Sequence, residues 1–130
     1  MTVLPEAARR LFDAPEFAVL ATRERNQCVM WVGRDGDELF MVSKDFRRQV
    51  RDVLADPGVS VLVYDRARPQ HYVRVEGIAT VETDGAAELM DRLARTYTGE
   101  PHVITNPAEE ASRTVLRIRP ERVLVYGSPS

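Results

Sequence analysis

The sequence predicts a mainly β protein, an antiparallel barrel of about six or seven strands with about three peripheral helices. The apolar segments are mostly short, and several alternate with polar residues as strands do. Strands follow one another directly through tight turns, and the helical segments are inserted singly. A doubly wound sheet would need a helix after almost every strand, so the order of elements favours an antiparallel barrel.

Composition limits the classes of function. A chain of 130 residues is long enough for one hydrophobic core, and we expect a single domain over residues 1–130. The net charge of −2 disfavours nucleic acid as a partner. The single cysteine, Cys28, excludes an internal disulfide and a cysteine metal cage, and we expect no metal site. We find no apolar run that suits a membrane span and no signal peptide, so we expect a cytoplasmic protein without a membrane partner.

The first half of the chain indicates one helix followed by three strands. Pro5 stands where a helix starts, and Asp35-Gly36 favours a tight turn between the second and third strands. The apolar face of the helix consists of Leu4, Ala8, Leu11 and Phe12. The predicted strands cover residues 17–22, 27–33 and 39–43.

The second half indicates two further helices and four further strands. The second helix begins near Lys44 and stops at Asp56-Pro57-Gly58, and Asp84 is placed to cap the third. Gly77 suggests a bulge within a long strand, and Pro120 separates the last two strands. The second helix has the apolar face Phe46, Val50, Val53 and Leu54. The predicted strands cover residues 59–64, 70–82, 114–119 and 122–126, and residues 99–112 are predicted to form a loop.

A basic cluster at the start of the second helix is the strongest candidate for chemistry. Lys44, Arg47, Arg48 and Arg51 crowd the end of a helix whose dipole disfavours cations. A phosphate bound there would interact favourably with these positive charges and would accept hydrogen bonds from the free backbone N–H groups. Two other interpretations remain open: a solvated basic face partly neutralised by acidic neighbours, and an arginine cluster at a dimer interface.

Other residues give weaker signals. Trp31 is by default a core residue, but it could instead line a pocket for a planar ligand. His71 lies in a predicted strand and is interpreted as structural, whereas His102 lies in the long loop, from which it could reach a ligand. Cys28 has no base nearby in sequence and is interpreted as an inert thiol. The catalytic residues are therefore unknown, and a bound cofactor would have to supply the chemistry of an enzyme.

Five segments carry a resemblance that covers nearly the whole chain. They are Ala18-Val-Leu-Ala-Thr22, Trp31-Val-Gly-Arg-Asp-Gly-Asp-Glu-Leu-Phe40, Arg48-Gln-Val-Arg51, Asp56-Pro-Gly-Val-Ser60 and Tyr72-Val-Arg-Val-Glu-Gly77. In order and spacing they resemble landmarks of the pyridoxamine 5'-phosphate oxidase-like split β-barrel family. The resemblance is closest to the branch that uses the deazaflavin coenzyme F420.

The resemblance implies a homodimer with cofactor sites at the subunit interface. It implies that the start of the second helix holds the cofactor phosphate and that the ring lies over barrel strands. Gln49 stands where the branch commonly has lysine, and Arg47 would supply a replacement charge. The first hairpin is about three residues shorter than is usual in the family. The implied cofactor-binding residues are Ser43, Lys44, Arg47, Arg48, Gln49, Arg51, Met30, Trp31 and Val32.

Three functions follow from the resemblance. The first is an oxidoreductase that transfers a hydride between reduced F420 and a small conjugated substrate. The second is an FMN-binding oxidoreductase of the same fold. The third is a non-catalytic cofactor-binding protein or a member with a degenerate site, which Gln49 and the short hairpin support. Substrate specificity is expected to lie in the loop over residues 99–112.

Overall fold

The computed structural model describes residues 2–127 and shows a mainly β fold. Within that range, the chain forms seven strands, which make one sheet, and four helices. No helix among these residues is long and apolar enough to cross a membrane. The elements in chain order are α1 (Glu6–Asp13), β1 (Ala18–Thr22), β2 (Gln27–Met30), β3 (Gly33–Asp35), β4 (Glu38–Lys44), α2 (Arg48–Ala55), β5 (Gly58–Asp65), β6 (Arg68–Glu82), α3 (Ala86–Thr98), α4 (Pro107–Ala111) and β7 (Arg113–Tyr126).

The sheet has the strand order β2-β1-β5-β6-β7-β4-β3, and every neighbouring pair is antiparallel. Its two edge strands, β2 and β3, are joined by only Trp31 and Val32. The Cα atoms of Met30 and Gly33 can therefore lie at most about 11 Å apart, so the sheet must curl until its edges come close. The edges meet without pairing, which gives a split antiparallel barrel and confirms the predicted fold class.

Two predicted strand boundaries were wrong, for reasons of tertiary structure. The strand predicted over residues 27–33 is divided between β2 and β3, because the chain crosses from one edge of the sheet to the other in its middle. The two strands predicted around Pro120 are one continuous strand, β7. Pro120 lies opposite Gly77 where the register shifts, so its missing N–H costs no regular ladder bond. The predicted bulge at Gly77 is confirmed, and a Cβ there would collide with the carbonyl of Arg119.

The barrel interior is filled by strand residues and by two helices. α1 buries the predicted face, and Phe12 is one of the largest fully buried side chains. α2 contributes Val50 and Val53 to the same cluster. Phe46 and Leu54 are exposed, contrary to the prediction. Phe46 precedes the helix, which begins only at Arg48, and Leu54 lies on the solvent side of the helix.

α3 packs on the outside of the barrel, where Leu89 and Leu93 form a second apolar cluster with Phe40 and Val115. Its N-cap is Gly85, with a φ of 77°, rather than the predicted Asp84. The segment predicted as a loop over residues 99–112 contains the short helix α4. The Asn106 side chain caps α4 by accepting from the Ala108 and Glu109 N–H groups.

Candidate functional site

A cavity of about 400 Å³ lies where the ends of β2 and β4 meet the starts of α2 and β7, beside α3. It contains six of the nine predicted cofactor-binding residues, namely Met30, Trp31, Ser43, Lys44, Arg47 and Gln49. The remaining lining residues are Phe17, Val29, Val42, Met90, Leu93 and Arg113. One side of this set is apolar and the other is cationic.

The apolar wall centres on Trp31, at the junction between β2 and β3. Its indole stacks on the ring of Tyr97, with centroids 5.0 Å apart and planes inclined by 9°. Phe17 and Val29 also line the cavity, and both remain accessible to solvent, at 40% and 66% of their surface. A wall of this kind suits a planar, mostly apolar ligand.

Three cations define the opposite side, which we call the anion end. Lys44 is the last residue of β4, Arg47 is the N-cap of α2, and Arg113 is the first residue of β7. Lys44 and Arg113 are direct cross-strand partners, an arrangement of like charges that normally destabilises a sheet. The exposed ring of Phe46 lies beside Lys44 and Arg47, 5.9 Å from Nζ and 5.3 Å from Cζ.

Several hydrogen-bond donors at the anion end are unused. α2 has no side-chain cap and no acidic residue in its first turn. The N–H groups of Arg48 and Gln49 have no backbone carbonyl partner within residues 2–127. The hydroxyl of Ser43 is buried without any partner in the same range. The Gln49 amide makes only a weak contact, 3.9 Å from the Met30 sulfur. Such donors at a helix N-terminus suit a phosphate.

The counter-charges of the anion end come from α4. Glu109 lies 3.3 Å from Lys44 Nζ, and Glu110 lies 3.0 Å from Arg113 Nε. The same Glu110 oxygen lies 2.9 Å from His102 Nε2. The hydrogen bond with His102, followed by that with Arg113, holds the pKa of Glu110 below its ordinary value.

Three predicted site residues lie outside the cavity lining. Val32 is buried in the core, and its N–H donates to the Tyr97 hydroxyl at 3.0 Å. Arg48 lies 3.8 Å from Asp52, with most of its side chain in solvent. Arg51 is exposed on the same helix. Their roles as cofactor contacts stay predictions.

His71 and Cys28 lie in environments that are typical of structural residues. The buried ring of His71 has Nδ1 3.1 Å from the carbonyl oxygen of Tyr126, as a structural histidine would. Cys28 is partly buried, with its sulfur 3.8 Å from the Leu20 carbonyl oxygen. Burial, together with the charge of Asp52, raises the pKa of this thiol.

Six of the twelve residues that line the cavity were not predicted from the sequence. Met90 and Leu93 lie on α3, and the sequence gives no sign that this helix borders a cavity. Arg113 follows a segment predicted to be a loop, and only the pairing of β4 with β7 brings it to Lys44. The pairing of these two like charges can therefore be recognised only once the register of the sheet is known.

Residues 4–127 match the sequence profile of pyridoxamine 5'-phosphate oxidase, which is nearly the whole described chain. The chain belongs to this family. Members of the pyridoxamine 5'-phosphate oxidase family typically bind a flavin. No curated protein sequence is significantly similar to the chain.

Solved structures with the same fold include one named F420 reductase, with a TM-score of 0.77 and 25% identity over 93% of this chain and 98% of that one. General stress protein 26 from Bacillus anthracis has a TM-score of 0.73 and 18% identity, covering 95% of this chain and 94% of that one. A conserved hypothetical protein from Mycobacterium tuberculosis has a TM-score of 0.73 and 20% identity, covering 98% and 91%. The similarity to the latter two structures shows only that the fold is shared.

Proposed function

We propose that the protein is an F420-dependent oxidoreductase that transfers a hydride between the reduced deazaflavin and a small conjugated substrate. The observation that carries the proposal is the cavity itself, with an aromatic wall at one side and unused phosphate donors at the other. The similar structure named F420 reductase, at 25% identity, supports the choice of deazaflavin.

The residues present fit a cofactor that combines a planar ring with a phosphate. Lys44 and Arg47 would hold the phosphate with the Gln49 amide and the free N–H groups of α2. The unpartnered hydroxyl of Ser43 lies at the same end and would gain a partner. Trp31 would face the ring, with its orientation fixed by Tyr97.

The protein's own contribution is to bind and orient the reactants. Within residues 2–127, the cavity lining contains no carboxylate, histidine, cysteine or tyrosine that could act as a general acid. When bound, reduced F420 supplies a hydride to a conjugated acceptor such as an enone or quinone, which gains a proton from water. The cofactor would therefore carry the redox chemistry, and the chain would hold the reactants in place.

FMN is the second candidate cofactor, because proteins of this family typically bind a flavin and the same donors suit its phosphate. Gln49 favours a third outcome, binding without turnover. Its amide offers hydrogen bonds but no charge where the F420 branch commonly has lysine, so the anion end depends on Lys44, Arg47 and Arg113 for charge.

Titration of the purified protein with F420 and with FMN separates these functions. We expect quenching of F420 fluorescence at micromolar concentrations, followed by oxidation of reduced F420 when enone or quinone acceptors are added without oxygen. Tighter binding of FMN, with flavin absorbance in the purified protein, would assign the second function. Binding of either cofactor without turnover across the acceptors would indicate a carrier. Binding of neither would contradict the proposal.

A homodimer is part of the proposal, and an unpartnered face of the sheet supports it. The strand registers place five outward residues in one line across the sheet, which we call the outer row. The outer row consists of Val29, Val19, Leu62, Arg74 and Leu124. Arg74 Nε is buried there without a partner among the described residues, and Val29 also lines the cavity. A second copy placed on the row would cover apolar surface and complete the cavity mouth.

Sedimentation velocity tests the dimer. We expect the wild-type protein to sediment as a dimer at micromolar concentrations and Leu62→Asp to sediment as a folded monomer. Val3→Asp is the matched control, because Val3 is exposed in the monomer and lies outside the outer row. A wild-type monomer at all concentrations, or a dimer that survives Leu62→Asp, would contradict this interface.

A further inference from the structure

α4 places a carboxylate on a cation that the anion end would use for its ligand. We propose that Glu109 is a built-in competitor for Lys44, so that an incoming phosphate binds by displacing the Glu109 carboxylate. This inference rests on the phosphate site of the proposed function and adds a residue that sets its affinity.

The competition follows from the charges that the sheet brings together. Lys44 and Arg113 lie opposite each other on β4 and β7, and both side chains are largely removed from solvent. Like charges in that position repel unless a counter-ion is present. α4 provides one carboxylate for each cation, Glu109 for Lys44 and Glu110 for Arg113. Without ligand, the pair is therefore neutralised internally.

The two carboxylates differ in how firmly they are held. Glu110 contacts both Arg113 and His102, and its side chain is only 13% exposed. Among residues 2–127, Glu109 makes a single ionic contact, to Lys44, and its side chain is 46% exposed. Solvent reaches the Glu109 carboxylate and weakens its attraction to Lys44, so a ligand with several charged contacts displaces it readily. Glu109 is the exchangeable counter-ion, and Glu110 is the fixed one.

The exchange needs only a side-chain movement. Asn106 caps the start of α4, and the Ser112 carbonyl after its end accepts from the Asp45 N–H and the Thr114 hydroxyl. The His102 N–H also donates to Asp91 of α3. These contacts fix the backbone on both sides of Glu109, whose long side chain reaches solvent through rotation about its own bonds. The helix stays in place while Lys44 changes partner.

The test measures the binding of inorganic phosphate, with the Arg48 and Gln49 N–H signals followed by nuclear magnetic resonance. We expect Glu109→Gln to bind phosphate about two- to fivefold more tightly than the wild type, the range expected for an ion pair with one solvent-accessible partner. Glu100→Gln is the control, because it removes the same charge from an exposed position of the same segment, and Glu100 makes no ion pair within residues 2–127. Its affinity should match that of the wild type.

A double-mutant cycle separates direct competition from a long-range effect of charge. In a Lys44→Met background, Glu109→Gln should leave phosphate affinity unchanged, because the shared cation is gone. Equal affinities of Glu109→Gln and the wild type, or a gain that persists with Lys44→Met, would overturn the inference. Phosphate binding without binding of F420 or FMN would contradict the proposed function and leave the competition intact. Absence of phosphate binding in all variants would overturn the inference, while the titration with F420 and FMN would still decide the proposed function.

Discussion

The indole of Trp31 and the phenol ring of Tyr97 stack with their centroids 5.0 Å apart, which couples the wall of the cavity to helix α3. The Tyr97 hydroxyl also donates to the Glu16 carbonyl at 2.6 Å and accepts from the Val32 N–H at 3.0 Å. One side chain of α3 therefore fixes both the ring of Trp31 and the crossing between the edge strands. The shape of the candidate site depends on this residue.

Replacement of Tyr97 by phenylalanine tests that dependence. Tyr97→Phe keeps the stacked ring but leaves the Val32 N–H without its partner, which should cost about 1–3 kcal/mol of the free energy of unfolding. Urea denaturation followed by Trp31 fluorescence measures the change. Tyr126→Phe is the control, because its ring is also stacked, on Tyr72, but is partly exposed. Equal stability of Tyr97→Phe and the wild type would show that the hydroxyl does not hold the junction.

The thiol of Cys28 should react slowly at neutral pH. Burial, with a smaller effect of the Asp52 charge, raises its pKa above the ordinary value of 9.0, so the reactive thiolate is scarce. We expect the rate of alkylation by iodoacetamide to keep rising with pH beyond 9, and to stay below that of free cysteine at pH 8. Rapid labelling of the folded protein at pH 7 would contradict the prediction.

Acid should weaken the network around α4. The pKa of Glu110 lies below its ordinary value of 4.5 because His102 and Arg113 stabilise its charged form. A carboxyl group with a lowered folded pKa stabilises the protein above its unfolded pKa, and the contribution disappears as the pH falls through the folded value. The wild type should therefore lose melting temperature below about pH 4.5 more steeply than Glu110→Gln.

The exposed Glu88→Gln serves as the control for that measurement, since it removes a carboxylate from the first turn of α3. Its melting temperature should follow the wild-type profile between pH 7 and pH 3. If Glu110→Gln follows the same profile, the network at Glu110 does not contribute to acid stability.

The sequence was sufficient for the fold class because its signals are local. Asp35-Gly36 marks a hairpin, Gly77 marks a bulge, and Asp56-Pro57-Gly58 ends a helix, each through backbone properties of a few residues. The division of the strand at Trp31 was not predictable in this way, since the residues on both sides are extended and apolar. Only the closure of the whole sheet places them on opposite edges.

The candidate site likewise has a part that the local sequence predicts and a part that only the folded sheet brings together. The cationic start of α2 was predicted because Arg47 and its neighbours are close in sequence. The contribution of Arg113 was not predicted, because β-sheet register brings it to Lys44 across a long stretch of chain. The carboxylates of α4 were missed because a five-residue helix gives too short a periodic pattern to detect.

The most direct test of the phosphate site compares ligands that differ only in the phosphate-bearing part. F420 is titrated against the same deazaflavin ring without its phosphate side chain, and FMN against riboflavin, with the wild type, Arg47→Ala and the exposed control Arg10→Ala. We predict that the wild type and Arg10→Ala prefer at least one phosphorylated ligand by about tenfold or more, and that Arg47→Ala loses most of this preference. Equal affinities of wild-type protein for phosphorylated and phosphate-free ligands would contradict the phosphate site.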